Sequence, residues 1–243
     1  MQYWGITDPG CTRPQNQDTY QTEQLDKHTL LCVVCDGMGG AKSGNVASTL
    51  AVDVFIQEVK RTWVSGMDPE KIDQMLTNAV KLANFTVYDQ AQQFEEFTGM
   101  GTTLVAVLIT GKNATLVNVG DSRAYSITEE GVKQLTTDHS LVQMMINNGE
   151  LTPEQARSYP GKNLITRAIG TEAMVECDIF HRRLANGECL LLCTDGLSNM
   201  VEEQEILFEV VHGVNKQSSG QRLLDIAKNR GAPDNVTCVL IQI

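Results

Sequence analysis

Two kinds of hydrophobic pattern run along the chain. Residues 30–35 and 189–193 are continuously apolar, as expected of strands covered on both faces. Shorter or weakly alternating segments at 3–7, 19–24, 102–110, 114–119, 122–127, 176–184 and 236–243 predict further strands. Turn residues Gly111-Lys112-Asn113 and Gly120-Asp121 separate three of them. Elsewhere the period is helical. Val46, Leu50, Val54 and Ile56 set the apolar face of a helix over 45–60. Ile72, Leu76, Val80 and Phe85 set that of a longer helix over 69–94, opened by an Asp68 cap and a first-turn Pro69. Short helices fit 140–147, 153–158, 202–211 and 220–229. Helices come in pairs and strands in antiparallel runs, which is α+β. No linker and no internal repeat divides residues 1–243, so one domain is expected.

Hydrophobic residues make up 42% of the 243, enough for a packed core and too many for a disordered chain. The apolar runs fall far short of the roughly 20 residues of a membrane span. The opening MQYWGITDPG has neither a basic nor an apolar region, so no secretion signal is expected there. Lys plus Arg total 19 against 30 Asp plus Glu, a net charge of −11. That charge repels nucleic-acid backbones and acidic lipids and suits a protein that binds cations. Cys32/Cys35 and Cys189/Cys193 have zinc-like spacing, but their contexts, TLLCVVCDG and ECLLLCTDG, are strand interiors. They read as core thiols of a reducing compartment, so a cytoplasmic protein is expected.

One event recurs. A buried strand ends and an aspartate stands at its exit, as in Cys35-Asp36-Gly37, Val119-Gly120-Asp121 and Cys193-Thr194-Asp195-Gly196. Asp234 opens the last strand and Asp18 the second. Any one of these is an ordinary turn residue. Gathered at one rim, the carboxylates would repel unless a cation neutralised them. An all-oxygen donor set favours Mg2+ or Mn2+ over zinc. Glycine after Asp36 leaves its carbonyl open to an ion. Arg13, just before Asn16-Gln17-Asp18, suits a phosphate.

These segments carry a resemblance. Arg13-x-x-Asn16-Gln17-Asp18, Asp36-Gly37-Met38-Gly39-Gly40, Gly101-Thr102-Thr103, Val119-Gly120-Asp121-Ser122-Arg123, Thr137-Asp138-His139-Ser140, Thr194-Asp195-Gly196-Leu197 and Asp234-Asn235-Val236-Thr237 follow one another as in bacterial PP2C-type (PPM) metal-dependent serine/threonine phosphatases. Each is short, and together they cover nearly the whole chain. The resemblance implies a four-layer α-β-β-α sandwich, with two antiparallel sheets flanked by helix pairs. It implies two Mn2+ or Mg2+ ions, with a third in bacterial relatives. Asp36 would bridge two ions, the Gly37 carbonyl would bind the second, and Asp195 and Asp234 would hold the first. Asp18 would act near the second ion through water, Asp121 with Asp195 would take a third, and Arg13 would hold the substrate phosphate. Catalysis would then rest on Arg13, Asp18 and Asp36, with a metal-activated water attacking phosphorus directly. Residues 143–163 would form the flap beside the site. The substrates would be phosphorylated proteins, and a bacterial Ser/Thr kinase the opposing partner, with no nucleic acid and no membrane insertion. A monomer is the default expectation.

Several positions depart from relatives. Met38 and Ala41 stand where some members carry histidine, so the leaving-group acid is not identified. Asp138-His139 reads as a cap or orienting pair at a helix start. Pro233 stiffens the approach to Asp234. The cysteines are not expected to act as tyrosine-phosphatase nucleophiles, because the glycine spacing of that loop is absent around Cys177. Two other functions fit the same residues: a non-catalytic phosphoprotein-binding module, which would have lost an aspartate, and a two-metal nuclease, which the charge disfavours.

Overall fold

A computed structural model describes residues 1–39, 43–213 and 215–243. The apolar runs become strands for the reason their pattern implies. In β3 (Thr29–Met38), Leu31, Val33 and Cys35 enter one apolar layer, and Leu30, Cys32 and Val34 another. In β10 (Cys189–Cys193), Leu190 and Leu192 share that second layer, while Cys189, Leu191 and Cys193 enter a third. β11 (Val236–Gln242) divides in the same way, with Val239 and Ile241 on one side and Val236, Cys238 and Leu240 on the other. Successive side chains of a strand point to opposite faces, so a strand with both faces covered loses its polar alternation.

The second layer lies between two sheets. One has the order β1 (Gln2–Asp8), β11, β10, β7 (Arg123–Thr128), β8 (Gly131–Gln134). The other runs β2 (Asp18–Asp26), β3, β5 (Leu104–Thr110), β6 (Asn113–Val119), β9 (Asp178–Arg183), with the two-residue β4 (Gly101–Thr102) pairing the end of β3. All named pairs are antiparallel. Helices α1 (Gly44–Thr62) and α2 (Pro69–Gln93) cover the second sheet; α6 (Glu203–Val211) and α7 (Lys216–Asn229) cover the first. This is the four-layer α-β-β-α sandwich.

The helix faces differ from the expected ones. In α1 the buried face is Ala47, Ala51, Val52, Phe55, Ile56 and Val59, and Val46, Leu50 and Val54 are only partly covered. Small alanines let the helix lie close to the sheet, and the bulkier residues then flank the contact. In α2, Phe85 is 59% exposed, while its neighbour Asn84 is buried. Asn84 is satisfied by the carbonyls of Glu172 and Ala173 and by the Gly170 amide. Strand β8 was not expected; it is a short edge hairpin on β7. The expected strand over 102–110 breaks at Thr103, whose amide donates to the Asp36 carbonyl while its hydroxyl accepts from the Asp36 amide.

Residues 143–163 carry parts of two short helices, α3 (Leu141–Asn147) and α4 (Pro153–Arg157). Their base is closed by a Ser140–Ile165 bridge and the Leu141 amide on the Leu164 carbonyl. Ser140 caps α3 and Thr152 forms a capping box on α4.

Candidate metal centre

Antiparallel order brings the aspartates together. The entry of β2 lies beside the exit of β3, so Asp18 and Asp36 are directly paired. β6 leaves the same sheet in the same sense as β3 and delivers Gly120-Asp121. On the other sheet, β10 exits into the short helix α5 (Asp195–Ser198) beside the entry of β11, which follows Asp234.

Close packing holds this rim. A Cβ on Gly37 would stand 2.0 Å from the Gly44 carbonyl oxygen and 2.6 Å from that of Gln17. Glycine is required there for the start of α1 to lie against β3, a reason different from the open carbonyl expected. A Cβ on Gly196 would stand 1.9 Å from the Asn235 carbonyl oxygen. Asn235 ties three segments. Its side-chain Oδ1 accepts from the Gln17 amide at 2.8 Å, and its Nδ2 donates to the Pro9 and Gln15 carbonyls. That fastens the loop carrying Arg13 to the start of β11.

Water is largely removed from the carboxylates, and their charges crowd. Asp36 is only partly buried as a residue, yet its carboxyl is desolvated and pushed well above the usual range. Asp18, Asp195, Asp121 and Asp234 push it the same way. Asp18 is pushed up to about 7, first by burial, then by Asp195 and Asp234, against hydrogen bonds from Thr237 and Thr194. Asp121 is pushed up to about 7 by burial, Asp195 and Asp138. Asp195 is raised by burial and by Asp234, with a hydrogen bond to Asp36, then Arg123 and Arg13, offsetting part.

The donor chemistry fits a hard divalent cation. Oδ1 of Asp18 and Oδ1 of Asp195 are buried with no hydrogen-bond partner, while the second oxygen of each is held. Thr194 Oγ1 donates to Asp18 Oδ2 at 2.9 Å, and Asn199 Nδ2 to Asp195 Oδ2 at 3.0 Å. An orphaned carboxylate oxygen beside a pinned one is a buried lone-pair donor that a cation would satisfy. Among the described residues, no three His, Cys, Asp or Glu side chains already form a cage for one ion.

Arg13 lies at the rim, but its Nη2 is paired with Asp234 Oδ2 at 2.8 Å, with the Arg13 side chain 53% exposed. Asp121 and Asp195 open onto a cleft of about 440 Å3 between the α3–α4 segment and the α5–α6 turn. Met144 of α3 is 48% exposed. Ala41 lies outside the described residues. The Asp138-His139 expectation needs correction: Ser140 is the helix cap. Asp138 instead takes a forked hydrogen bond from Arg123, at 2.7 Å to Nη2, and His139 binds Gly120. Five cysteines are buried, and burial raises their thiols. Cys177 and Arg183 have Cys-x5-Arg spacing, but the residues after Cys177 through Arg183 form strand β9 rather than a phosphate loop, and burial raises the Cys177 thiol.

The residues not anticipated are hydroxyls and amides: Thr194, Thr237, Asn235 and Asn199. Thr194 and Thr237 are fully buried, and the Thr237 amide donates to Thr194 Oγ1. The available signal was a hydroxyl next to each aspartate-bearing strand end, Thr194 just past β10 and Thr237 at the start of β11.

The sequence profile described as Protein phosphatase 2C matches residues 13–230. The chain is 35% identical over 237 residues to the serine/threonine phosphatase Stp of Listeria innocua, covering 97% of this chain and 93% of that one. The crystal structure of serine/threonine phosphatase Stp1 from Staphylococcus aureus superimposes with a TM-score of 0.93 at 35% identity, covering 99% of this chain and 94% of that one. The catalytic domain of the serine/threonine phosphatase PstP, crystallised with two manganese ions, superimposes with a TM-score of 0.83 at 32% identity, covering 98% and 96%. With this match running from the Arg13 loop to the last helix, the chain belongs to the protein phosphatase 2C family.

Proposed function

We propose that the carboxylate rim is the working centre of a metal-dependent protein serine/threonine phosphatase. The chain hydrolyses phosphoserine and phosphothreonine in proteins and uses Mn2+ or Mg2+. In this reading Asp18, Asp36, Asp195, Asp234 and the Gly37 carbonyl hold two ions, and Asp121 with Asp195 takes a third. The observation that carries it is the pair of buried, unpartnered oxygens on Asp18 and Asp195 inside a rim of crowded carboxylates. When bound, the ions supply charge for the phosphoryl oxygens and a water nucleophile at neutral pH.

The residues of the chain do the positioning. Thr194 turns Asp18 so that Oδ1 is the oxygen left free. Arg13 exchanges its Asp234 partner for the substrate phosphate, to which a guanidinium offers two parallel donors. The cleft beside Asp121 and Asp195 receives the substrate chain around the phosphorylated residue. The buried thiols stay out of the reaction, since burial holds them protonated.

We read residues 1–243 as one phosphatase domain with 143–163 as its flap, because the inter-sheet apolar layer is shared by both halves. No helix among the described residues is long and apolar enough to cross a membrane. A cytoplasmic monomer acting against a Ser/Thr kinase is the setting these features suit.

The test compares hydrolysis of phosphothreonine and phosphotyrosine peptides, with and without Mn2+, using Asp36→Asn as the blank. Mn2+-dependent release from phosphothreonine that vanishes in the variant is expected. No release from a folded protein under any metal would overturn the reading and leave a phosphoprotein-binding module.

A further inference from the structure

His139 is buried and does not reach into the cleft as an acid. Both its main chain and its ring grip one peptide. Its amide donates to the Gly120 carbonyl at 2.9 Å, and its Nδ1 accepts from the Gly120 amide at 3.1 Å. For Nδ1 to accept, the ring proton must sit on Nε2, and Nε2 faces Asp178 Oδ2 at 3.3 Å. Arg167 Nη1 bonds Asp178 Oδ1 at 2.9 Å and also stands 3.1 Å from His139 Nε2. The Gly120 amide therefore sets the tautomer, and Asp178 and Arg167 share the Nε2 edge of the ring.

The gripped peptide needs holding. Gly120 has φ +103°, and a Cβ there would stand 2.6 Å from Thr103 Cγ2, so the turn is confined to glycine, the residue with the greatest freedom to wander. Asn118 Nδ2 gives the Gly120 carbonyl a second, longer bond at 3.2 Å. The Gly120 amide has His139 as its partner. The residue after Gly120 is Asp121. On its other side, His139 forms part of the base of the α3–α4 segment: its carbonyl accepts from the Thr166 amide, and the following Ser140 caps α3.

We propose that His139 is a positioning residue: its ring holds the Gly120 peptide so that the Asp121 carboxylate is set for a divalent cation, and it does so from the base of the 143–163 segment. This rests on the reading of Asp121 as an ion ligand. Holding a ligand through its neighbouring peptide is worth about 10–100-fold in ion affinity, as for other groups that support a metal ligand.

Three substitutions divide the ring's functions. His139→Asn keeps an acceptor close to the Nδ1 position and loses the reach to Asp178. His139→Gln keeps a polar group near the Nε2 position and loses the Gly120 bond. Asp121→Asn tests the ligand itself. Bound Mn2+ is counted by titration with the free ion followed by electron paramagnetic resonance, and hydrogen exchange is followed at the Gly120 amide. The expected result is a weakest Mn2+ site lost in Asp121→Asn, weakened about 10–100-fold in His139→Gln and retained within a few-fold in His139→Asn. Gly120 exchange should quicken in His139→Gln alone of the two histidine variants. Wild-type Mn2+ binding in His139→Gln, with the site lost in Asp121→Asn, would overturn the proposal and leave the Asp121 reading standing. Equal weakening in the Asn and Gln variants would also overturn it, since a packing role does not distinguish acceptor positions. An unchanged ion count in Asp121→Asn would remove the ligand reading and the proposal with it.

Discussion

Thr194 shows how one hydroxyl sets a carboxylate. It is fully buried, donates to Asp18 Oδ2 at 2.9 Å and accepts from the Thr237 amide at 3.1 Å. Valine has the same shape and neither bond. Thr194→Val should therefore fold and raise the Mn2+ concentration for half-maximal activity by about 10–100-fold. Unchanged Mn2+ dependence would mean that Asp18 needs no such support. The aspartates were legible in the sequence because each interrupts a strand beside glycine. The roles of the threonines were not, because Thr194 just past β10 and Thr237 inside β11 are residues that a strand and its exit accept for many reasons. Only their burial distinguishes them.

At the scale of elements, two glycines make opposite predictions. Gly37 lies next to the end of β3 under the start of α1, and a Cβ there would collide with the Gly44 carbonyl oxygen at 2.0 Å. Both groups are backbone and neither can turn aside. Gly37→Ala should destabilise by about 1–3 kcal/mol as α1 is displaced. Gly220 lies within α7, and the nearest atom to its Cβ would be Ile6 Cγ2 at 4.0 Å, an ordinary contact. Gly220→Ala should stabilise by about 0.5–1 kcal/mol through helix propensity and the stiffer unfolded chain. Thermal unfolding of the two variants checks this, and shifts of the same sign would contradict it. Strand and helix positions were readable from hydrophobic period. The buried faces of α1 and α2 were less so, because Ala47, Ala51, Ala79 and Ala83 form the contact and alanine carries little weight in an amphipathic pattern.

For the molecule as a whole, the rim makes stability depend on pH in an unusual direction when metal is withheld. Asp18 and Asp121 are pushed up to about 7, and Asp36 and Asp195 are also raised. A carboxyl raised by folding holds its proton more tightly in the folded chain. Its contribution is full below the unfolded value, near 4, and is lost as pH rises through the folded value. Carboxylates lowered by pairing, such as Asp8 and Asp178, act below that window, with stability lost as pH falls. His139 is lowered by burial and opposes the trend near 6.5, as one group against four. The midpoint of denaturation in chelator should therefore fall between pH 5 and pH 8, about the window named. Saturating Mn2+ should reverse the fall, because it binds the ionised carboxylates of the folded chain. A midpoint in chelator that rose across this range would show that the rim does not carry the crowded charge described.

Hydrophobic period and strand-end aspartates in the sequence alone determined the α+β class, the positions of most strands and helices, and the five acids of the rim. These are local properties: an apolar run must be covered, and an Asp-Gly after it must lie at the strand's end. Antiparallel order then decided which ends meet, bringing Asp18 opposite Asp36 and Asp195 beside Asp234. Which oxygen of each carboxylate is free, why Gly37 must be glycine, and that His139 grips Gly120 rather than capping a helix were decided only by packing. Each depends on atoms far apart in the chain and close in space, and no local pattern specifies them.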